Sequence, residues 1–300
     1  ARYLRAFVYF TMVTRIGGVP LITETMGYVD DPLLLAKKRN KESEVYDFIV
    51  NEIDDIKNDL TVYSSTITQT RASKGSALAL KSRAMLYAGS LAFNYDKSAA
   101  KGLNLPSGAT GIEKSKANAY LEKCLEACQE LDDMQHYALY QKDADLSLNY
   151  SKLFLNKTDN REIIFCKAYD GVNMFNYFTQ RAIARSQTGV AKSGAQINPT
   201  LNLVNSYELL ATREIKPMQA YAGGDAIELM TAKTSDKNYI IYDKPEDIFA
   251  GRDPRLAGTV LHAGSTFKNK PIDLQAGLAV LEDDGTYTFK SAQSIEAIST

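Results

Sequence analysis

The sequence predicts a mainly α-helical fold whose second half is an irregular, loop-rich lobe with a few short strands. Three observations predict it. Four segments before residue 135 repeat their apolar residues at helical spacing. The first and third are alike in being rich in Ala and Tyr, and the second and fourth are alike in alternating an aliphatic face with an acidic one. Beyond Asp132 that period gives way to short apolar runs separated by Gly, Pro, Asn and Asp.

The first helix is read over Tyr3–Val13, with Leu4, Phe7, Val8 and Tyr9-Phe10 near helical spacing. Gly17-Gly18-Val19-Pro20 ends it, because glycine accepts a left-handed C-cap and proline cannot continue a helix. The second, Lys41–Leu60, carries Val45, Phe48-Ile49, Ile53, Ile56 and Leu60 on one face, with Asn40 as its N-cap. The third, Ser73–Phe93, lines up Ala77, Ala84, Ala88 and Ala92 beside Leu80, Tyr87 and Leu91, and Ser73 caps it. Small residues on one helix let its neighbour approach closely, so these alanines need no functional explanation. The fourth, Lys114–Leu131, repeats the stripe as Ala117, Tyr120-Leu121, Cys124-Leu125, Cys128 and Leu131. Two helix pairs offset by roughly 75 residues would be degenerate relatives of the ~34-residue tetratricopeptide unit, carrying long insertions. In the second half, Glu162–Cys166 reads as a short strand and Pro199–Leu210 as a helix with Pro199 near N1. Gly251–Leu256 reads as a turn, and Leu278–Phe289 as a hairpin around Asp284-Gly285. Val172–Gln196 is polar and aromatic without a clean period.

Composition narrows the function classes. Hydrophobic content of 45% and charge of 24% are those of an ordinary globular protein. A formal net charge of −1, with the signs interspersed, leaves no basic stripe for a phosphate backbone and argues against nucleic acid. No apolar run approaches the ~20 residues that span a bilayer.

Catalytic and metal motifs are weak. Cys124 and Cys128, four apart with His136 following, could hold a metal or be two small apolar side chains. Without a fourth ligand at zinc spacing they read as buried free thiols. Gly17-Gly18 and Gly223-Gly224 match no nucleotide fingerprint and read as turns, and Ser98-Ala99-Ala100-Lys101 lacks the companion motifs of penicillin-recognising enzymes. Asp143 and Asp145 lack the glycine and closing glutamate of a calcium loop. His136 and His262, the only histidines, leave little for a nucleophilic triad. Nothing calls for a cofactor.

Several phrases do carry identity. Arg15-Ile16-Gly17-Gly18-Val19-Pro20-Leu21-Ile22, Glu44-Val45-Tyr46-Asp47-Phe48-Ile49 and Ala72-Ser73-Lys74-Gly75-Ser76-Ala77-Leu78-Ala79-Leu80-Lys81-Ser82-Arg83 follow one another in the first half. Asn160-Arg161-Glu162-Ile163-Ile164-Phe165, Asn198-Pro199-Thr200-Leu201-Asn202-Leu203-Val204 and Arg252-Asp253-Pro254-Arg255-Leu256 follow in the second. In that order they resemble the SusD/RagB family of surface lipoproteins that capture glycans for an outer-membrane importer. The resemblance implies a single SusD-like domain over 1–300, truncated at both ends, with a tetratricopeptide-like scaffold at 1–135 and a ligand-binding lobe at 136–300. It also implies a lipid anchor upstream of this sequence, an outer-membrane, cell-surface location and a SusC-like TonB-dependent transporter as partner. Activity would be non-catalytic capture and delivery of oligosaccharide. A helical-repeat scaffold for a protein partner and a glycoside hydrolase are the alternatives.

Within that frame the richest chemistry lies in the second half. Tyr169, Asn173, Phe175, Asn176, Tyr177, Phe178, Gln180 and Arg181 crowd one stretch. A sugar presents an apolar C–H face and a rim of hydroxyls, which suits flat rings flanked by amide and guanidinium donors. Burying ~80 Å² of such a face at ~25 cal/mol per Å² is worth roughly 2 kcal/mol per ring. Two rings and a few hydrogen bonds at ~1 kcal/mol each give dissociation constants in the micromolar-to-millimolar range. Phe175 and Phe178 can equally be core residues. Tyr221, Tyr239 and Tyr242 form a second aromatic group.

Overall fold

Apolar period, capping chemistry and glycine placement together set the first unit of this computed structural model. It describes residues 1–27, 33, 36–62, 69–169, 174–184, 194–218, 244, 246–267, 269–272, 277–281, 283–284 and 287–291. These divide into two units, Ala1–Leu139 with Lys157–Ala168, and Tyr140–Asn156 with Tyr169–Thr300. The architecture is mostly helical.

The first unit holds α1 (Arg2–Ile16), α2 (Glu42–Ile56), α3 (Lys74–Phe93), the short α4 (Tyr95–Ala100) and α5 (Ala117–Asp133). Helix α1 packs on α2 and α3 on α5, with α2 against α3, so the pairing read from texture is the pairing formed. At the centre is α3. Ala77, Ala84, Ala88 and Ala92 are fully buried, and the Cβ that Gly89 lacks would strike Leu121 of α5. Ser73 caps α3 as predicted, its hydroxyl accepting the Ser76 N–H (3.2 Å) while the Ser76 hydroxyl accepts the Ser73 N–H (2.8 Å). From α2, Val45, Tyr46, Ile49, Val50 and Ile53 complete the core.

Three local expectations are corrected. On α1 the buried stripe is Tyr3, Ala6, Tyr9 and Val13, while Leu4, Phe7 and Val8 are exposed; adjacent apolar positions left two stripes to choose from. The N-cap of α2 is Lys41, one residue later than Asn40. Asn40 instead donates from its amide to Glu44 (2.9 Å), whose carboxylate also accepts the Lys41 N–H (3.1 Å). Glu162–Cys166 forms no strand; Phe165 turns inward and packs edge-on to Tyr3 and Phe7.

Charged groups join the helices. Glu52, almost buried, accepts from both Arg2 (2.7 Å) and Arg5 (2.5 Å) of α1. Buried Lys81 of α3 meets Asp54 of α2 (2.7 Å), and Glu130 of α5 meets Lys57 (2.5 Å) and Lys74 (2.9 Å).

The Gly17-Gly18 phrase is a splice of three segments. Gly17 has φ 74°, and its N–H donates to Val13 O (2.9 Å), closing α1. The Gly18 N–H donates to Ala109 O (2.7 Å), and the Asn40 N–H to Val19 O (3.2 Å). Asn40 Oδ1 accepts the Leu21 N–H (2.9 Å), and Arg39 reaches back to the carbonyls of Ile16 (2.6 Å) and Gly18 (2.7 Å).

The second unit contains α6 (Leu146–Leu155), α7 (Phe178–Ala182), α8 (Leu201–Asn205), α9 (Arg255–Thr259), the pair β1 (Thr266–Phe267) with β2 (Lys270–Pro271), and the pair β3 (Gly277–Leu281) with β4 (Tyr287–Ser291). The predicted hairpin forms as β3–β4, antiparallel with Ala279 opposite Phe289. Helix α8 is shorter than the predicted 199–210 and starts at Thr200, whose hydroxyl accepts the Leu203 N–H (3.2 Å). Arg252-Asp253-Pro254-Arg255 works as a clasp. Buried Arg252 donates to Tyr207 O (2.9 Å) and Lys216 O (2.8 Å), the Asp253 N–H donates to Glu208 O (2.9 Å), and the Asp253 carboxylate takes the Arg255 guanidinium. That pairing holds Asp253 below the usual carboxylate range.

Candidate functional site

Residues 174–181 lie in the second unit. The Asn176 amide oxygen accepts the Phe178 N–H (3.1 Å), a side-chain turn that starts α7. The helix is one turn long, closed by Arg181 N–H to Tyr177 O (2.9 Å) and Ile183 N–H to Thr179 O (3.0 Å). Its end is tied down: Arg181 O accepts the Gln196 N–H (2.7 Å), Ile183 O accepts the Ala195 N–H (2.8 Å), and the Ile183 and Ala184 side chains are buried. Ahead of that anchor the rings stay outside. Met174, Phe175, Tyr177 and Phe178 are 51%, 50%, 51% and 63% exposed, so Phe175 and Phe178 are not core residues. Four large apolar side chains in five consecutive residues, all half in water, form the kind of surface that marks a contact site. Phe175 and Tyr177 meet edge-to-face at 5.2 Å, and the Arg181 guanidinium lies 5.9 Å from the Tyr177 ring centre.

Phe175, Asn176, Tyr177, Phe178 and Arg181 therefore share one exposed segment, with Gln180 exposed beside them. Tyr169 is half-buried. Asn173 lies outside the described residues, as do Tyr221, Tyr239, Tyr242 and Gly223-Gly224. Met174 was missed at the sequence level, although its place inside the aromatic run was the signal available.

The other candidates have structural occupations. Asp145 caps α6, accepting from the Ser147 N–H (2.9 Å), the Leu148 N–H (3.1 Å) and the Ser147 hydroxyl (2.6 Å). Asp143 takes the Lys152 ammonium (2.6 Å). These bonds hold both carboxyls below the usual range. On α5, Cys124 is half-buried and Cys128 exposed, which corrects the expectation of two buried thiols; burial and the neighbouring Cys128 push the Cys124 thiol up. Among the described residues no cluster of three or more His, Cys, Asp or Glu has metal-holding geometry. Burial, aided by nearby Arg161, lowers the His136 pKa, and His262 stacks on Phe249 with ring centres 4.2 Å apart. A shallow depression of about 660 Å³ runs along α5 past Leu125, Cys128, Gln129 and Asp132, and a smaller cavity of about 110 Å³ lies between Lys41, Tyr95, Pro106 and Gly111. Neither contains the 174–181 rings. No helix among the described residues is long and apolar enough to cross a membrane.

The model of the SusD family matches residues 161–299. An 85-residue stretch is 39% identical to a SusD-like protein of Formosa agariphila, spanning 28% of this chain and 16% of that protein. A SusD-like protein from Bacteroides fragilis superposes with a TM-score of 0.60 at 22% identity, over 98% of this chain and 47% of that structure. A SusD-like carbohydrate binding protein from the same species gives 0.60 at 19% identity, over 93% and 42%. The chain thus spans less than half the length of these solved structures.

Proposed function

We propose that this chain, whose residues 161–299 match the SusD family model, is a member of the SusD/RagB family that captures glycans without cleaving them and passes them to a SusC-like TonB-dependent outer-membrane transporter. The reading includes a cell-surface position held by a lipid anchor outside this sequence, and a helical unit of degenerate tetratricopeptide type. One observation carries it: the exposed run Phe175, Tyr177 and Phe178 beside Asn176, Gln180 and Arg181, rings and donors on one turn tied down at its end by main-chain hydrogen bonds. A solved relative with this fold is named a carbohydrate binding protein, and the chemistry of the run suits a sugar's apolar face and hydroxyl rim. Because the rings stand on open surface, each covers only one face of a ligand, consistent with micromolar-to-millimolar affinity. Asn173 and Tyr169 extend the proposed site toward the start of the same stretch. Hydrolysis would need a pair of carboxylates flanking the ligand, and residues 174–184 supply none.

Affinity electrophoresis through gels cast with a panel of polysaccharides tests this. Retardation by a glycan, relieved by Tyr177→Ala and unaccompanied by new reducing ends, is the expected result. Release of reducing ends would turn the assignment to a hydrolase. Free migration through every gel, together with capture by a protein partner in a transporter pull-down, would favour the interaction scaffold.

A further inference from the structure

The charge of the ligand can be read from the same surface, an inference that rests on the glycan-capture reading above. We propose that the glycan taken here is anionic, carrying carboxylate or sulfate-ester groups, and that Arg181 receives the oxyanion beside the Tyr177 and Phe178 rings.

Two independent observations lead there. The first is in the sequence. The chain has 36 acidic residues in 300, about one in eight, and 35 basic ones. Between Asp170 and Glu208, however, residues 171–207 contain no Asp or Glu, while Arg181, Arg185 and Lys192 all fall inside. In a protein whose signs are otherwise interspersed, a stretch of that length has lost its acids and kept its bases. A site for a neutral sugar gains from carboxylates, the strongest acceptors for hydroxyl protons. For an anionic sugar the same carboxylates would repel the ligand, and their removal is what such a site requires.

The second observation is the state of Arg181. Its side chain is exposed, and its one contact among the described residues is the Tyr177 ring. Arg161 and Arg252, by contrast, are committed to main-chain carbonyls, and Arg255 to Asp253. Among the described residues no acceptor takes the Arg181 guanidinium N–H groups, and the Tyr177 ring holds it near the aromatic run. A planar fork of donors matches two oxygens of a carboxylate or a sulfate at once, which a sugar hydroxyl cannot offer. Held in that place, it adds charge recognition to ring stacking on one ligand.

The test uses the full chain in gels and titrations with matched polymers. Polygalacturonate against its fully methyl-esterified form isolates the carboxylate; carrageenan against its desulfated form isolates the sulfate; starch, xylan and mannan form the neutral set. The expected result is retention by one charged polymer, at least tenfold weaker retention by its uncharged partner, and an affinity that falls steeply between 50 and 500 mM salt. Arg181→Gln, an exposed change that leaves the fold intact by circular dichroism, should cost about tenfold on the charged polymer, the equivalent of ~1.4 kcal/mol, and several-fold less than that on its uncharged partner, where only a neutral hydrogen bond is exchanged for another. Whichever charged polymer responds identifies the group. Equal binding of charged and uncharged partners, or an Arg181→Gln protein that binds the charged polymer undiminished, overturns the anionic inference. Tyr177-dependent binding of a neutral glycan alone would do the same while leaving glycan capture standing. Free migration in every gel would overturn both.

Discussion

Gly18→Ala tests whether the glycine phrase is architecture. A Cβ at position 18 would press on the Asn40 carbonyl oxygen, with the Glu42 nitrogen 2.9 Å and the Lys41 carbonyl carbon 3.0 Å away. All three are backbone at the start of α2, well inside the ~3.3 Å at which carbon and oxygen ordinarily meet. The side chain cannot rotate away, so α2 and the 18–21 strap must separate. Overpacking of this kind costs roughly 1–3 kcal/mol. Separation also weakens the Asn40 N–H to Val19 O bond, the Leu21 N–H to Asn40 Oδ1 bond and the Arg39 contact to Gly18 O; losing two at ~1 kcal/mol each gives about 3–5 kcal/mol in all. That is a large share of the ~5–15 kcal/mol of a typical domain. Urea denaturation followed by far-ultraviolet circular dichroism measures it, with Gly27→Ala as control, since nothing lies within 4 Å of a Cβ there. Gly27→Ala should be neutral or stabilising by about 0.5 kcal/mol. A Gly18→Ala protein within 1 kcal/mol of the parent would show that the three segments are not spliced as described.

Two further outcomes follow from buried charge. Burial raises the Glu52 pKa, but the Arg2 and Arg5 guanidiniums outweigh it and hold the carboxyl below its ordinary 4.5, so its stabilisation is present above that pH and is lost as pH falls through the lower folded value. Glu52→Gln should cost about 1–2 kcal/mol at pH 7, discounted because both arginines are partly exposed, and the gap to the parent in denaturation midpoint should narrow below pH 4.5; a gap that is constant with pH would refute it. Arg252→Lys leaves one of two main-chain carbonyls, Tyr207 O or Lys216 O, without the donor that buried Arg252 supplies through a partly buried hydrogen bond, at a cost of about 1–3 kcal/mol. Hydrogen exchange should quicken around 204–218 and leave α2 and α3 unchanged.

How much of this was legible beforehand varies with the physics involved. Helix positions and pairing in the first unit were readable because alanine at helical spacing has one use, close approach of a second helix, and α3 buries all four of the alanines named for it. The stripe of α1 was read only in part: Tyr9 is buried as its spacing suggested, but Leu4, Phe7 and Val8 compete with Tyr3, Ala6 and Val13, and only the positions of α2 and α3 decide between them. Glu162–Cys166 has strand composition but no partner strand among the described residues; Cys166 N–H reaches Gln69 O (3.0 Å) and Phe165 packs on α1. Tertiary context overrode propensity. The aromatic run was visible as composition, yet its exposure was not, because that depends on the Ile183–Ala195 and Arg181–Gln196 ties that hold the turn from behind.

The phrases that carry the resemblance to the SusD/RagB family and the residues proposed to bind ligand are different residues, for a physical reason. Gly17-Gly18 splices three segments, Arg161 closes the end of α5 through Gln135 O (2.8 Å) and His136 O (2.6 Å), and Arg252-Asp253 clasps α8 to α9. Each satisfies main-chain groups that few other residue types could satisfy in that place, so each leaves a recognisable phrase. The 174–181 segment has no such constraint. The bonds that shape it come from Asn176 and the main chain, so its outward side chains are not needed to hold the turn. On the proposed reading, such a division would let one scaffold serve many glycans, with specificity residing in the stretch that lacks a family phrase, where Arg181 and the missing carboxylates are the features open to selection.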